Sequence, residues 1–198
     1  MNKGIKYSLI MISFGVVITF CLTLINLLTF PIIEKRKMEK VQTYLNSVTD
    51  GDWKVGEHLI DISENNYIEE VYLCFNDDEN IDYISFYTKT TGYSNGLIEA
   101  LISIDNKSGK IFSVQIINME NQTKGIGSLI VDDKTYLEKF KGVDVLKYYK
   151  DNINDYSSND NDIISGATVT SKAVVFAVIN CCNIYFEEGL NKWTKKKY

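Results

Sequence analysis

The sequence predicts an α+β domain, an antiparallel sheet with helices packed on it, preceded by one N-terminal transmembrane helix and a short helical stalk. Three observations carry that prediction. From Tyr7 to Phe30 no side chain is charged, and a helix of that length spans a hydrocarbon core of about 30 Å. Between Tyr67 and Met119, β-branched and aromatic runs alternate with clusters of Asn, Asp, Ser and Gly, the pattern of strands and tight turns. From Ala173 to Tyr185 an apolar run at helical length needs a sheet to cover it.

The chain has 198 residues, which suits one domain plus a membrane segment. Its hydrophobic content of 45%, with 13 Tyr and 9 Phe, is ample for a packed core, and a single Pro argues against a disordered linker. Net charge is −5. Six basic and two acidic residues precede position 41, so residues 41–198 hold 15 Lys and Arg against 24 Asp and Glu, a balance of −9. Nucleic acid needs the opposite sign, which excludes it as a partner.

The first element is the span. Its apolar run exceeds the roughly 7–15 residues of a signal-peptide core, and no Ala-x-Ala-like site follows. Thr19-Phe20 before Cys21 does not read as a lipoprotein box. Residues 1–31 are therefore expected to be an uncleaved anchor in the lipid bilayer. Ser13, Gly15, Thr19 and Thr23 would let it pack closely against neighbouring spans. Pro31 ends or kinks the span. Residues 32–49 then read as a stalk, an amphipathic helix with Ile33, Met38, Val41, Tyr44 and Leu45 on one stripe. The repeat is too brief for a coiled coil.

The soluble domain is expected over 50–198. Tyr67 to Phe75 and Ile81 to Tyr87 read as strands around the turn Asn76 to Asn80. Gly96 to Asp105 alternates, with Ile98, Ala100, Ile102 and Ile104 on one face. Asn106-Lys107-Ser108-Gly109 turns the chain, and Lys110 to Met119 returns with Phe112, Val114 and Ile116 together, which makes an antiparallel hairpin. Tyr136 to Phe140 suggests a short surface helix, extending through Val145 to Tyr149. Asp151 to Asp162 is a polar loop.

That loop delivers the chain to Asp162-Ile163-Ile164-Ser165-Gly166-Ala167-Thr168-Val169-Thr170-Ser171. Gly166 and Ala167 permit close backbone approach, and the helix that follows offers free N–H groups and its positive dipole end, a site ready for phosphate. In the bland reading Ser165 or Thr168 is an ordinary N-cap. The whole string, however, resembles the flavinylation motif of the FMN-binding domain family. That domain occurs in the G component of Rnf complexes and the C component of sodium-translocating NADH:quinone reductases. The resemblance implies FMN esterified through its phosphate to Thr168, which follows Gly-Ala, with Asp162 part of the sequence a flavin transferase recognises. Ser165, Gly166 and Ala167 would shape the turn, and Thr170 would bond the phosphate or be the ester site itself.

Two further stretches resemble that family. Thr90-Thr91-Gly92-Tyr93, followed by Gly96, is similar to its Gly-Tyr-x-Gly segment, which places Gly92 and Tyr93 in the cofactor site. Gln122-Thr123-Lys124-Gly125-Ile126-Gly127 lies where the family commonly has Glu-Thr-Pro-Gly-Leu-Gly after a His. Thr123, Gly125 and Gly127 match, and Ile126 stands for the Leu. Gln122 replaces the Glu, Lys124 replaces the Pro, and the upstream His is absent. A plain glycine turn is the competing reading. The loss of negative charge implies a more stable anionic reduced flavin.

The resemblance implies an electron-transfer component of an ion-translocating, Rnf-type membrane complex, working with other redox subunits and holding no catalytic residue for a small substrate. Lysine and arginine flanks alone favour a cytoplasmic domain. The family places it on the outer face, and the short N-terminal tail, which looks like a signal n-region, favours the same. A stand-alone outer-face FMN protein of extracellular electron transfer and a non-redox, membrane-tethered binding domain are the alternatives. No CxxC occurs, so no zinc or iron–sulfur site is expected. Cys21 reads as packing in the span and Cys74 as a buried strand thiol. A link from Cys74 to Cys181 or Cys182 stays open, and His58 reads as a surface residue.

Overall fold

The computed structural model describes residues 3–48, 54–55, 67–76, 78, 80–119, 130, 134–149 and 163–192. The chain divides into two compact units, Met1–Thr43 and Tyr44–Tyr198.

The uncharged run from Tyr7 to Phe30 lies within helix α1, Lys3–Val48, which is 46 residues long. Its helical backbone runs through Pro31, so of the two expectations there, an end or a kink, the end does not occur, and span and stalk are one helix. A proline removes one i→i−4 bond and crowds one carbonyl, while the helical stretches on both sides keep their own ladders. Met11 is 78% and Leu27 72% exposed, and α1 is long and apolar enough to cross a membrane. Several of its hydroxyls bond back within the helix. Ser13 donates to the Ile10 carbonyl at 2.8 Å, Thr19 to Gly15 at 2.9 Å and Thr23 to Thr19 at 2.8 Å, as an apolar surrounding requires. Towards its C-terminus the predicted stripe is realised at Val41 and Leu45, which are buried, but not at Ile33, which is exposed.

Strands β1 (Lys54–Val55), β2 (Ile68–Phe75), β3 (Ile81–Thr91), β4 (Leu97–Asp105) and β5 (Lys110–Met119) pair in sequence order, all antiparallel. β3 outruns the expected end at Tyr87. Its threonines keep the alternation, so Thr88, Lys89, Thr90 and Thr91 pair with Ala100, Glu99, Ile98 and Leu97.

One sheet face is apolar: Val71, Leu73, Ile84, Phe86, Ile98, Ile102 and Ile104 are buried in the core. β5 departs from the simple period of two. Ser113 pairs with Ser103 but Ile111 with Ile104, so one extra residue, Phe112, sits in a bulge. Ile111 therefore joins Val114 in the core, and Phe112 meets Tyr83 at 4.4 Å instead. This corrects the expected trio of Phe112, Val114 and Ile116. The second face carries a buried polar row. Cys74 Sγ lies 3.6 Å from Ser85 Oγ, which lies 2.8 Å from Ser103 Oγ.

The segment read as a surface helix does form a short helix, and it buries one side in the core. Helix α2 covers Lys134–Glu138, a 3-10 turn covers Val145–Lys147, and Tyr136, Phe140, Val145 and Tyr148 are all buried. Between the helix and that turn, Gly142 donates to the Ile111 carbonyl at 2.7 Å and Ile111 to Val143 at 2.9 Å, which covers the open edge of β5.

Helix α3, Thr168–Glu187, packs across β3 and β4 on the apolar face. By composition it too is long enough to cross a membrane, but most of it is buried inside the domain. All four cysteines are free thiols, so the Cys74 bridge left open by the sequence does not form.

Two tests follow from this packing. Phe140→Ala should cost about 3–5 kcal/mol in urea denaturation, with Lys139→Ala close to neutral, whereas a surface helix would make both mild. Burial raises the Cys74 thiol from 9.0 to about 12 against the opposing Ser85 contact, and raises the Tyr185 phenol from 10.0 to about 12. Above pH 9 the unfolded chain therefore binds fewer protons than the folded one. Stability should hold below about pH 9 and fall as pH rises towards 12, read by circular dichroism.

Candidate functional site

The motif folds as a tight turn feeding α3. Ala167 N–H donates to the Ile164 carbonyl at 3.1 Å, and Gly166, third in that turn, has φ +88°. Positive φ at that position marks a type II turn, which favours glycine. Ala167 occupies the cap position and supplies no side-chain cap, so neither Ser165 nor Thr168 is the N-cap. Ser171 does the tying. Its buried hydroxyl accepts from Ile164 N–H at 3.2 Å and donates to the carbonyls of Ala167 and Thr168 at 2.9 and 3.2 Å. Tyr136 reaches in from α2 and donates to the Ser171 carbonyl at 3.4 Å.

Exposure separates the two threonines. Ser165, Gly166 and Thr168 face solvent, and Val169 is 51% exposed. Ala167 is buried, and Thr170 is 0% exposed. Thr168 thus presents its hydroxyl at the mouth of a helix that has no side-chain cap, where first-turn N–H groups and the helix dipole favour an anion. Lys172 lies one turn on from Thr168, on the same side of the helix. A phosphate monoester or diester fits these donors.

Gly92 and Tyr93 lie in the β3–β4 turn. Gly92 N–H donates to the Gly96 carbonyl at 2.9 Å and Gly96 N–H to Tyr93 at 3.0 Å. Ser94 and Asn95 sit at φ 54° and 58°, the left-handed region that non-glycine residues seldom adopt. Tyr93 is half-exposed.

Two contacts fix which end of the sheet α3 begins on. Near the helix C-terminus, Tyr185 OH donates to Asn106 Oδ1 at 3.0 Å. Phe176 stacks edge-on against Tyr67 at 4.6 Å, and the Tyr67 carbonyl accepts from Lys89 N–H at 2.9 Å. From Tyr185 back to Thr168 the helix rises about 26 Å, and from Asn106 back to Ile98 β4 covers about 26 Å. From Tyr185 the helix therefore runs back past Phe176 towards the end of the sheet that carries Gly92 and Tyr93.

The structure thus brings Ser165, Gly166, Ala167, Thr168, Thr170, Gly92 and Tyr93 to one end of the domain. Asp162, Thr123, Gly125, Ile126 and Gly127, with Gln122 and Lys124, lie outside the described residues. Sequence reasoning passed over Thr90. It is 3% exposed, and its Oγ1 has no hydrogen-bond partner among the described residues. The signal was available: strand alternation puts Thr88 and Thr90 on the apolar face, where a hydroxyl is out of place. Thr88 resolves this by donating to the Ala100 carbonyl at 3.2 Å.

Residues 92–183 match the FMN-binding domain family, a stretch that opens at Gly92 and closes within α3. Over 97 residues the chain is 37% identical to the G component of the ion-translocating oxidoreductase complex of Buchnera aphidicola subsp. Baizongia pistaciae (strain Bp). That alignment covers 44% of this chain and 40% of the relative.

A Cβ on Gly166 would meet nothing within 4 Å, so only backbone conformation resists substitution. Gly166→Ala should cost about 1–2 kcal/mol in urea denaturation, and Gly166→Asn less, because Asn tolerates the left-handed region.

Proposed function

Since residues 92–183 match the FMN-binding domain family, we propose that this chain is a membrane-anchored flavoprotein component of a larger assembly. On this reading it carries FMN esterified through its phosphate to Thr168 and relays electrons within an ion-translocating complex of the Rnf type. The observation that carries the reading is the exposed Thr168 hydroxyl on the first turn of α3, two residues from a Thr170 that the core has sealed. An acceptor for a bulky transferase-borne group must be reachable, which favours Thr168 as the ester site over Thr170.

In maturation a flavin transferase would move FMN from FAD to Thr168 Oγ. A P–O bond forms to threonine, the pyrophosphate bond breaks, and AMP leaves with its phosphate. Gly166 sets the turn, Ser171 fixes it, and the first-turn N–H groups hold the phosphodiester charge. The flavin supplies one- and two-electron redox chemistry, and the protein supplies tether, orientation and field. Helix α1 would anchor the domain in the bilayer with the flavin on the outer face. The similarity to a protein named as part of an oxidoreductase complex favours neighbouring redox subunits as partners over a stand-alone flavoprotein. Co-purification of such subunits with the tagged chain tests that choice.

The covalent claim is tested by intact mass after co-expression with the transferase. The wild-type chain should gain roughly 440 Da, the composition of FMN less water, and keep flavin fluorescence after denaturation. Thr168→Ala should lose both completely, and Thr170→Val should retain both. Retention of the adduct in Thr168→Ala would overturn the assignment.

A further inference from the structure

We propose that the Thr90 hydroxyl is a second point of attachment for the cofactor, hydrogen-bonded to a polar atom of the flavin that Thr168 carries. The inference rests on Thr168 being the FMN acceptor. Thr90 lies on the helix-facing side of β3, in the row with Ile84, Phe86 and Thr88. It lies at the end of the sheet towards which the N-terminal half of α3 runs, two residues short of Gly92 in the β3–β4 turn. Its side chain is 3% exposed and Oγ1 has no partner among the described residues. Thr88, one step back on the same face, donates to the Ala100 carbonyl, so a threonine in this row can satisfy itself.

An unpaired buried hydroxyl is a cost that valine, nearly identical in shape, would avoid. Folding alone therefore gives no reason for the hydroxyl of Thr90. A flavin fastened to the facing helix does. The isoalloxazine ring and ribityl chain offer carbonyl oxygens, ring nitrogens and hydroxyls, and a threonine hydroxyl can donate to or accept from any of them. The cofactor is then held on two elements: covalently on the helix and by a hydrogen bond on the sheet. The ester fixes retention, and Thr90 fixes orientation.

The test uses the full-length chain in detergent, made with and without the transferase, in wild-type, Thr90→Val and Thr90→Ser forms. Loading is read by intact mass, and the thermal midpoint is measured for loaded and unloaded protein. For wild type the flavin should raise the midpoint, since a group bound only by the folded state stabilises it. Unloaded Thr90→Val should melt at or above unloaded wild type, because an orphaned hydroxyl has gone, and it should lose most of the loading increment. Thr90→Ser should keep the increment. The flavin midpoint potential should move in Thr90→Val and stay in Thr90→Ser. A structural role for Thr90 predicts the reverse pattern, an unloaded Thr90→Val protein that is destabilised with its increment intact, and that result overturns the proposal while leaving Thr168 untouched. A wild-type chain that takes no adduct overturns the Thr168 assignment, and this inference with it.

Discussion

The seating of α3 on the sheet is the constraint on which the site depends. A helix turns about 100° per residue, so Thr168 and Thr170 point about 200° apart. Val174, Val178, Cys181, Cys182 and Tyr185 are all buried against the sheet, and Thr170 extends that inward arc by one more turn. Thr168 points away from Thr170, along the side of Val175 and Ile179, which are themselves buried further along the helix, so its exposure comes from its place on the first turn. The two threonines of the motif are chemically alike; phase seals Thr170, and position at the mouth of the helix leaves Thr168 open.

Phase alone would leave the first turn free to fray, because helix ends have unpaired groups and no side-chain cap is present here. Ser171 prevents this from inside, tying Ile164 N–H to the carbonyls of Ala167 and Thr168. Tyr136 then ties Ser171 to α2, and its ring lies edge-on to Phe140 at 5.7 Å. The segment that covers the edge of β5 thus also braces the mouth of α3. Loss of the Ser171 hydroxyl would strand a donor at Ile164, a cost of about 1–3 kcal/mol where it is buried.

Much of this was legible in the sequence, for reasons that can be stated residue by residue. β4 showed itself because Ile98, Ala100, Ile102 and Ile104 keep a period of two without interruption, and all four are buried. β5 misled because one inserted residue at Phe112 swaps faces, and a bulge leaves no mark in composition. The α2 segment looked like surface because its lysines and glutamates outnumber its aromatics, yet three aromatic side chains are enough to bury one side. Pro31 read as an end or a kink, and the end does not occur because a proline removes only one ladder bond of many. At the site, the string from Ser165 to Ser171 named the turn. Its hydroxyls suggested a side-chain cap, whereas the backbone puts Ala167 at the cap and uses Ser171 from within. Thr90 was missed because the strand was expected to end at Tyr87, which left Thr90 outside the alternation that β3 carries on to Thr91.

The magnitudes also say why a covalent link suits this geometry. A negative charge at an exposed helix N-terminus gains about 0.3–1 kcal/mol, which is at most a few-fold in affinity. One buried hydrogen bond adds about as much again. Neither would retain a dilute cofactor at an exposed turn. A phosphoester removes retention from the equilibrium and raises the effective concentration of the ring beside the sheet, so weak contacts need only orient what is already there. On the proposed reading, that division of labour explains how an acceptor can be left open to a transferase and to partner proteins without losing what it carries.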